Sequence, residues 1–356
     1  MIAERLRAQL LSGEPARSAV DVAERLLAVQ AQDSRGVRLA VRARTAGLCA
    51  SDVDRALTAE RSLVITWLNR GTLHLVRSED YWWLHKLTTP PLLAGNARRL
   101  AQEGVPPDAA ERGVAAIERS LTADGPLTRP QLRERIASAG VRTEGQAIVH
   151  ILVLASLRGI AVRGPMIGGE HAYALARDWL GTPPGALARD FDRDFDRDTA
   201  LAELARRYLA GHGPADERDL AKWAGLPLRD TRRGLAAIGS RLDARGGLVS
   251  LAGASRSGRL PPPRLLGAFD PLLLGWVSRD PFLGPHGSAV VSGGVFRPFA
   301  LAGGRAVATW SIAGNNVALK PFAELTAADT AALDAEAADV VRFLTGPGRG
   351  GSAREH

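Results

Sequence analysis

Gln30 and Gln32 are separated by one small residue, Ala31, and follow a stretch with helical apolar spacing. Once a chain leaves its helix and becomes extended, positions i and i+2 project to the same side. The two side chains can then bring two amides, each with N–H donors and a carbonyl acceptor, to a single point. An amide is neither a strong acid nor a strong base, so the chemistry on offer is the holding and aiming of a small polar molecule. The plainer reading is that both glutamines are solvated or cap the helix end. No other constellation competes. Cys49 is the sole cysteine, and the seven histidines show no metal-ligand spacing, so neither a metal nor a cofactor is expected.

Val22, Leu26, Leu27 and Val29 recur at helical spacing and predict a helix to about Val29 that delivers the pair. The surrounding chain has 356 residues, 46% hydrophobic and 24% charged, enough for two to four domains with real cores. Its net charge of +8 is carried almost entirely by arginine, with Lys86, Lys222 and Lys320 the only lysines. A planar guanidinium fork suits phosphates, so the balance favours a polyanionic partner over mere surface solubility. Charges at Glu4, Arg5 and Arg7 break any early apolar run, and no stretch is long and apolar enough for a membrane span. A cytoplasmic protein without a membrane partner is expected.

The order of elements repeats. Residues 1–90 read as a helical start, the helix before the glutamines, a helix opened by Ser51-Asp52, and a hairpin over 62–76 turning at Asn69-Arg70-Gly71. Three helices followed by a hairpin is the plan of a winged helix-turn-helix. Residues 91–188 repeat it with helices at 109–121, 130–139 and 145–157 and a hairpin at 160–175. Residues 189–253 do so again, with helices at 199–211, 216–224 and 228–240 and a hairpin at 242–251. The charged stretch 189–198 reads as a solvated linker or helix lead-in, whose Phe191 and Phe195, four apart, could anchor it to a neighbour. After a Gly/Ser/Arg/Pro linker, residues 264–346 turn mostly β, with strands expected at 265–269, 289–291, 295–300 and 307–312 and a helix at 327–344. The tail 347–356 is expected to be disordered. The fold class is therefore α+β: three tandem winged helices and a C-terminal β-rich domain.

Ala28-Val29-Gln30-Ala31-Gln32, Arg70-Gly71-Thr72-Leu73-His74-Leu75-Val76, Gly211-His212-Gly213-Pro214, Ala268-Phe269-Asp270-Pro271-Leu272-Leu273-Leu274, Gly293-Gly294-Val295-Phe296-Arg297-Pro298 and Val307-Ala308-Thr309-Trp310 stand in this order along the chain. In these phrases the sequence resembles the winged-helix family that contains the AlkZ and YcaQ DNA glycosylases. The resemblance implies a C-shaped protein with a cleft for duplex DNA and a catalytic motif of Gln-Φ-Gln or, in the other branch, Gln-Φ-Asp, Φ being apolar. Gln30-Ala31-Gln32 has the first form; Asp33 falls one place too late for the second. That places the chain on the AlkZ-like side, associated with removal of bulky N7-alkylguanine adducts and interstrand cross-links, in some members as self-resistance to a toxin.

Two neutral amides suffice for such a reaction. N7-alkylation makes guanine cationic and a good leaving group, and departure from C1′ gives the sugar oxocarbenium character. What remains is to hold a water on the opposite face and to stabilise the developing charge, which is work for positioning and preorganised dipoles. Gln30 and Gln32 are thus the expected catalytic residues of a monofunctional DNA glycosylase. Its partner is double-stranded DNA carrying alkylated guanine, and a monomer is the default. Arg70, Thr72 and His74 on the first hairpin, Arg229, Arg232 and Arg233 on the third unit, and Arg297 and Arg305 in the β-rich domain are the candidate DNA contacts; His74 could equally be a hydrogen-bonded wing residue. Asp270 reads better as structural, and Trp67, Trp223, Trp276 and Trp310 as core. Two other readings stay open: a non-catalytic winged-helix DNA binder, which loss of both glutamines would not affect, and a protein that sequesters the toxin itself, whose binding would lack the salt dependence of phosphate contacts.

Overall fold

A computed structural model describes residues 1–181, 195–254 and 259–346. Most of the charged lead-in, the centre of the linker and the tail lie outside these residues. In chain order come α1 (Ile2–Ala8), α2 (Ala19–Leu26), β1 (Val29–Gln30), α3 (Ser34–Arg42), α4 (Ala50–Thr58), β2 (Leu63–Leu68), β3 (Thr72–Arg77), α5 (Tyr81–Thr88) and α6 (Leu93–Gln102). Next are α7 (Pro107–Asp124), α8 (Arg129–Ser138), α9 (Ala147–Leu157), β4 (Ala161–Ile167), β5 (Glu170–Leu175) and α10 (Ala176–Leu180). Then follow α11 (Arg197–His212), α12 (Glu217–Ala224), α13 (Leu228–Ala237), β6 (Leu242–Arg245) and β7 (Leu248–Leu251). The rest is β8 (Arg264–Leu266), β9 (Val291–Ser292), β10 (Val295–Phe296), β11 (Phe299–Ala302), β12 (Arg305–Ala313), β13 (Asn316–Pro321) and α14 (Ala327–Thr345), with short helical turns between β8 and β9. The mixed helix-and-sheet class is as expected.

The chain parts into two compact units that do not follow chain order: residues 1–54, 208–216 and 243–356 in the first, 55–207 and 217–242 in the second. The first holds an antiparallel sheet in the order β13-β12-β11-β8, and α14 packs on β8 and α3 with Leu333, Val340 and Phe343 buried. In the second, β2 and β3 pair from Leu63↔Arg77 to Leu68↔Thr72, β2 meets β4 at Ile65↔Arg163, and β4 pairs β5. All six residues of β2 are buried, and α9, apolar almost all round, packs behind β2 and β4. Such two-sided burial is what an uninterrupted apolar run encodes.

Local chemistry sets most boundaries. Ser18 and Asp21 form a reciprocal capping box at α2, and Thr128 with Gln131 does so at α8, where Pro130 is tolerated in the first turn. α4 starts at Ala50, earlier than Ser51-Asp52 suggested, because the Asp52 carboxylate accepts from Cys49 N at 2.7 Å. Residues 289–291 were expected as strand, but a helical turn runs to Val290 and only Val291–Ser292 is extended. The expected strand 295–300 is two, interrupted at Arg297-Pro298, since Pro298 has no N–H for a ladder. The larger omission is α3. No element was expected over these residues, yet Gly36 to Arg42 are all buried. Among the described residues, no helix is long and apolar enough to cross a membrane.

Candidate active site

The glutamines lie beyond the helix expected to carry them. α2 ends at Leu26 and the chain reverses through Leu27 (φ 64°, ψ −47°), with Ala28 N donating to Leu26 O at 2.8 Å. A positive-φ γ-turn on a leucine is strained, at about 1–3 kcal/mol, and persists only where its surroundings hold it. It redirects the backbone into the extended Val29–Gln30, after which Asp33 ends the excursion. The Asp33 side chain accepts from Gly36 N as the N-cap of α3. Gln32 therefore sits between a strained turn and a capped helix.

The i, i+2 geometry behaves as expected. Gln30 Nε2 donates to Gln32 Oε1 at 2.7 Å. Gln30 is only 5% exposed, whereas Gln32 is exposed. The inner amide thus fixes the outer one, which keeps N–H donors and a second carbonyl lone pair for a molecule outside. Neither group ionises, so the pair can aim a hydrogen-bonding partner and cannot deprotonate it to any extent.

Three arginines that the sequence reading passed over hold this region. Arg38 pairs with Asp54, Arg42 with Glu336 at 2.7 Å and Asp339 at 2.8 Å, and Arg44 with Asp270 through both oxygens at 2.9 and 2.8 Å. The Asp339 carboxyl lies below the usual carboxylate range; its half-burial works the other way, and hydrogen bonds and charge from Arg42 and Arg342 prevail. Arg44 and Asp270 are both wholly inaccessible. Gln9, also buried, accepts from Arg44 and donates to Gly211 O at 2.7 Å. Asp270 has the structural place expected of it. Trp67, Trp223, Trp276 and Trp310 are all in the core.

The candidate DNA contacts divide. His74 is 2% exposed, and its Nδ1 donates to Thr72 O at 2.9 Å. Burial, with Arg70 nearby, lowers its pKa to about 3 against the raising effect of that hydrogen bond. A buried neutral ring is no phosphate ligand, so the hydrogen-bonded alternative replaces the contact. Arg70 Nη1 donates to the carbonyls of Lys222 (3.1 Å) and Trp223 at the end of α12, where a cation suits the helix dipole. Thr72 is half-buried on β3. Arg229, Arg232 and Arg233 are exposed on α13; Arg232 lies 3.4 Å from Glu217 and Arg233 pairs with Asp198, contacts worth little in water. Arg297, exposed, donates to Ala289 O at 3.2 Å beside the β9–β10 hairpin, whose Gly293 and Gly294 take φ of 57° and 81°. Arg305 is exposed at the start of β12.

His74 also yields a pH dependence. Its folded pKa is below the unfolded value near 6.5, so its contribution is complete above pH 6.5 and declines as pH falls towards 3. Between pH 7 and pH 5 the linkage amounts to about 2 kcal/mol. Urea unfolding should therefore show a smaller loss over that interval for His74→Gln than for the unaltered chain; equal losses would rule the effect out.

Comparisons with known proteins converge. Residues 23–343 match the family described as DNA glycosylase AlkZ-like. The interstrand DNA cross-link repair glycosylase of Streptomyces sahachiroi is 30% identical over 366 residues, covering 96% of this chain and 95% of the relative. The solved structure of the Streptomyces sahachiroi DNA glycosylase AlkZ superposes with a TM-score of 0.76 at 28% identity, covering 96% of this chain and 95% of the other.

Proposed function

From the premise that this chain belongs to the AlkZ-like DNA glycosylase family, we propose that it hydrolyses the N-glycosidic bond of N7-alkylguanine in duplex DNA. We take bulky adducts and interstrand cross-links as its natural substrates, handled by a monomer in the cytoplasm in repair or toxin self-resistance. The observation that carries the reading is the Gln30–Gln32 hydrogen bond, which leaves the outer amide directed to solvent.

In this reading Gln32 holds a water against C1′ and Gln30 holds Gln32. The C1′–N9 bond breaks with its electron pair passing to the cationic base, which leaves as neutral N7-alkylguanine. Water oxygen bonds to C1′, its proton passes to solvent, and an abasic site remains. Protonation of the base, the step that would demand an acid, is replaced by the alkyl group already on N7. The amides contribute orientation and dipoles aimed at the oxocarbenium-like sugar.

The test is incubation with duplexes containing one N7-methylguanine, followed by alkaline cleavage at abasic sites. Release from the alkylated duplex and none from its unmodified counterpart is expected. Excision of undamaged purine, or an alkylated duplex left intact, would defeat the reading and leave the DNA-binding alternative.

A further inference from the structure

Both flanks of the glutamine segment lead to one buried place. On the amino-terminal side, the strained turn at Leu27 is preceded by Arg25 and Leu26, against which Gly211 is seated. A Cβ on Gly211 would collide with Arg25 O and come within 3.2 Å of the Leu26 Cα. The Gly211 carbonyl is held by Gln9 Nε2, and the oxygens of Gln9 are held by Arg44 at 2.9 and 3.1 Å. On the carboxyl-terminal side, the first turn of α3 is seated on the stretch before Asp270. A Cβ on Gly36 would collide with Ala268 O, and one on Gly267 would lie 2.9 Å from Leu39 Cβ. That stretch passes through Phe269 at φ 56°, a second strained non-glycine residue, into the carboxylate that Arg44 grips from two sides.

We propose that Arg44, Asp270 and Gln9 are positioning residues that clamp the segment bearing Gln30 and Gln32 at both ends. The proposal rests on the catalytic reading of that pair and adds the device that sets its aim. One guanidinium ties four groups: Asp270, Gln9 O, Gln9 Oε1 and Ala40 O. Because every partner is buried, a change in any of them is transmitted and not absorbed by solvent. A reaction that depends on orientation, and not on a group's basicity, is acutely sensitive to such displacement. A misplacement of about 1 Å arising far from the chemistry can cost about 100-fold.

The experiment compares three variants of the full chain beside Gln32→Ala. Gly36→Ala forces the start of α3 away from Ala268, Gln9→Met cuts the link to Gly211, and Gly113→Ala is a control. In the control a Cβ would lie 2.9 Å from Ile151 Cγ2, a milder clash, with a side chain, within the α7–α9 packing. Single-turnover release of N7-methylguanine, DNA affinity and melting temperature are measured for each at a temperature where all are folded. Gly36→Ala and Gln9→Met should lose about 10- to 100-fold in rate while DNA affinity changes by less than about threefold. Gly113→Ala, melting lower, should keep the unaltered rate. Rates that follow melting temperature across all three would overturn the proposal, as would unaltered rates in the first two while Gln32→Ala is inactive. Normal excision by Gln32→Ala would instead overturn the catalytic reading, and the clamp with it.

Discussion

Alanine at Gln32 should reduce N7-methylguanine release by about 100- to 1000-fold, the range for removing one preorganised dipole from an active site. Its duplex affinity should hardly change. Gln32 is exposed and among the described residues its hydrogen-bond partner is Gln30, so truncation removes no buried support. Gln30→Ala should lose comparable activity by another route. It is 5% exposed, and its loss frees the outer amide and leaves space in the core, at about 1–3 kcal/mol of stability. The two losses should not add, because the residues act as a unit, and the double variant should be close to either single one. Single-turnover assays with parallel DNA titrations read both quantities. If each variant excised at the original rate, no role in the chemistry would survive for the pair. If affinity and rate fell together, the glutamines would be DNA contacts.

The second large effect is on stability. Asp270→Ala strands the Arg44 guanidinium in a site without solvent, and removing one member of a buried pair costs about 3–5 kcal/mol. Arg44→Met should be as damaging, since it also leaves Gln9 O and Ala40 O without their donor. Replacing both by apolar residues should recover only part of the loss. The ion pair disappears, but those carbonyls and Leu272 N, which donates to Asp270 at 2.9 Å, stay unsatisfied. For scale, Arg112→Ala should change stability by less than about 1 kcal/mol, because its pair with Asp108 lies in water. Urea unfolding curves order the four variants. A cost at Asp270 no greater than at Arg112 would mean that the buried pair is not a structural hub.

Part of this organisation was legible in the chain because it depends on near neighbours. Alternation and turn signals are matters of a few residues, so the hairpin at 62–76 and the helix at 327–344 could be read directly. The convergence of Gln30 and Gln32 needed only the period of an extended backbone. The exact helix end did not follow, because apolar spacing continues through Leu27 and Val29 while the backbone has already reversed at a positive φ.

α3 was illegible for a different reason. An arginine in a pattern signifies solvent unless its carboxylate is known, and those partners lie far along the chain: Asp270 is 226 residues from Arg44 and Asp339 is 297 from Arg42. His74 likewise could be read as a DNA contact or as a hydrogen-bonded wing residue, and its burial in the folded chain favours the second. The sequence by itself determined the mixed helix-and-sheet class, most of the hairpins and the convergence of Gln30 and Gln32, all of them consequences of local pattern. Only the tertiary structure decided which arginines are interior, which are exposed, and what holds the glutamines. Burial of a charge is settled by the partner that comes to meet it, and that meeting exists only after the chain has folded.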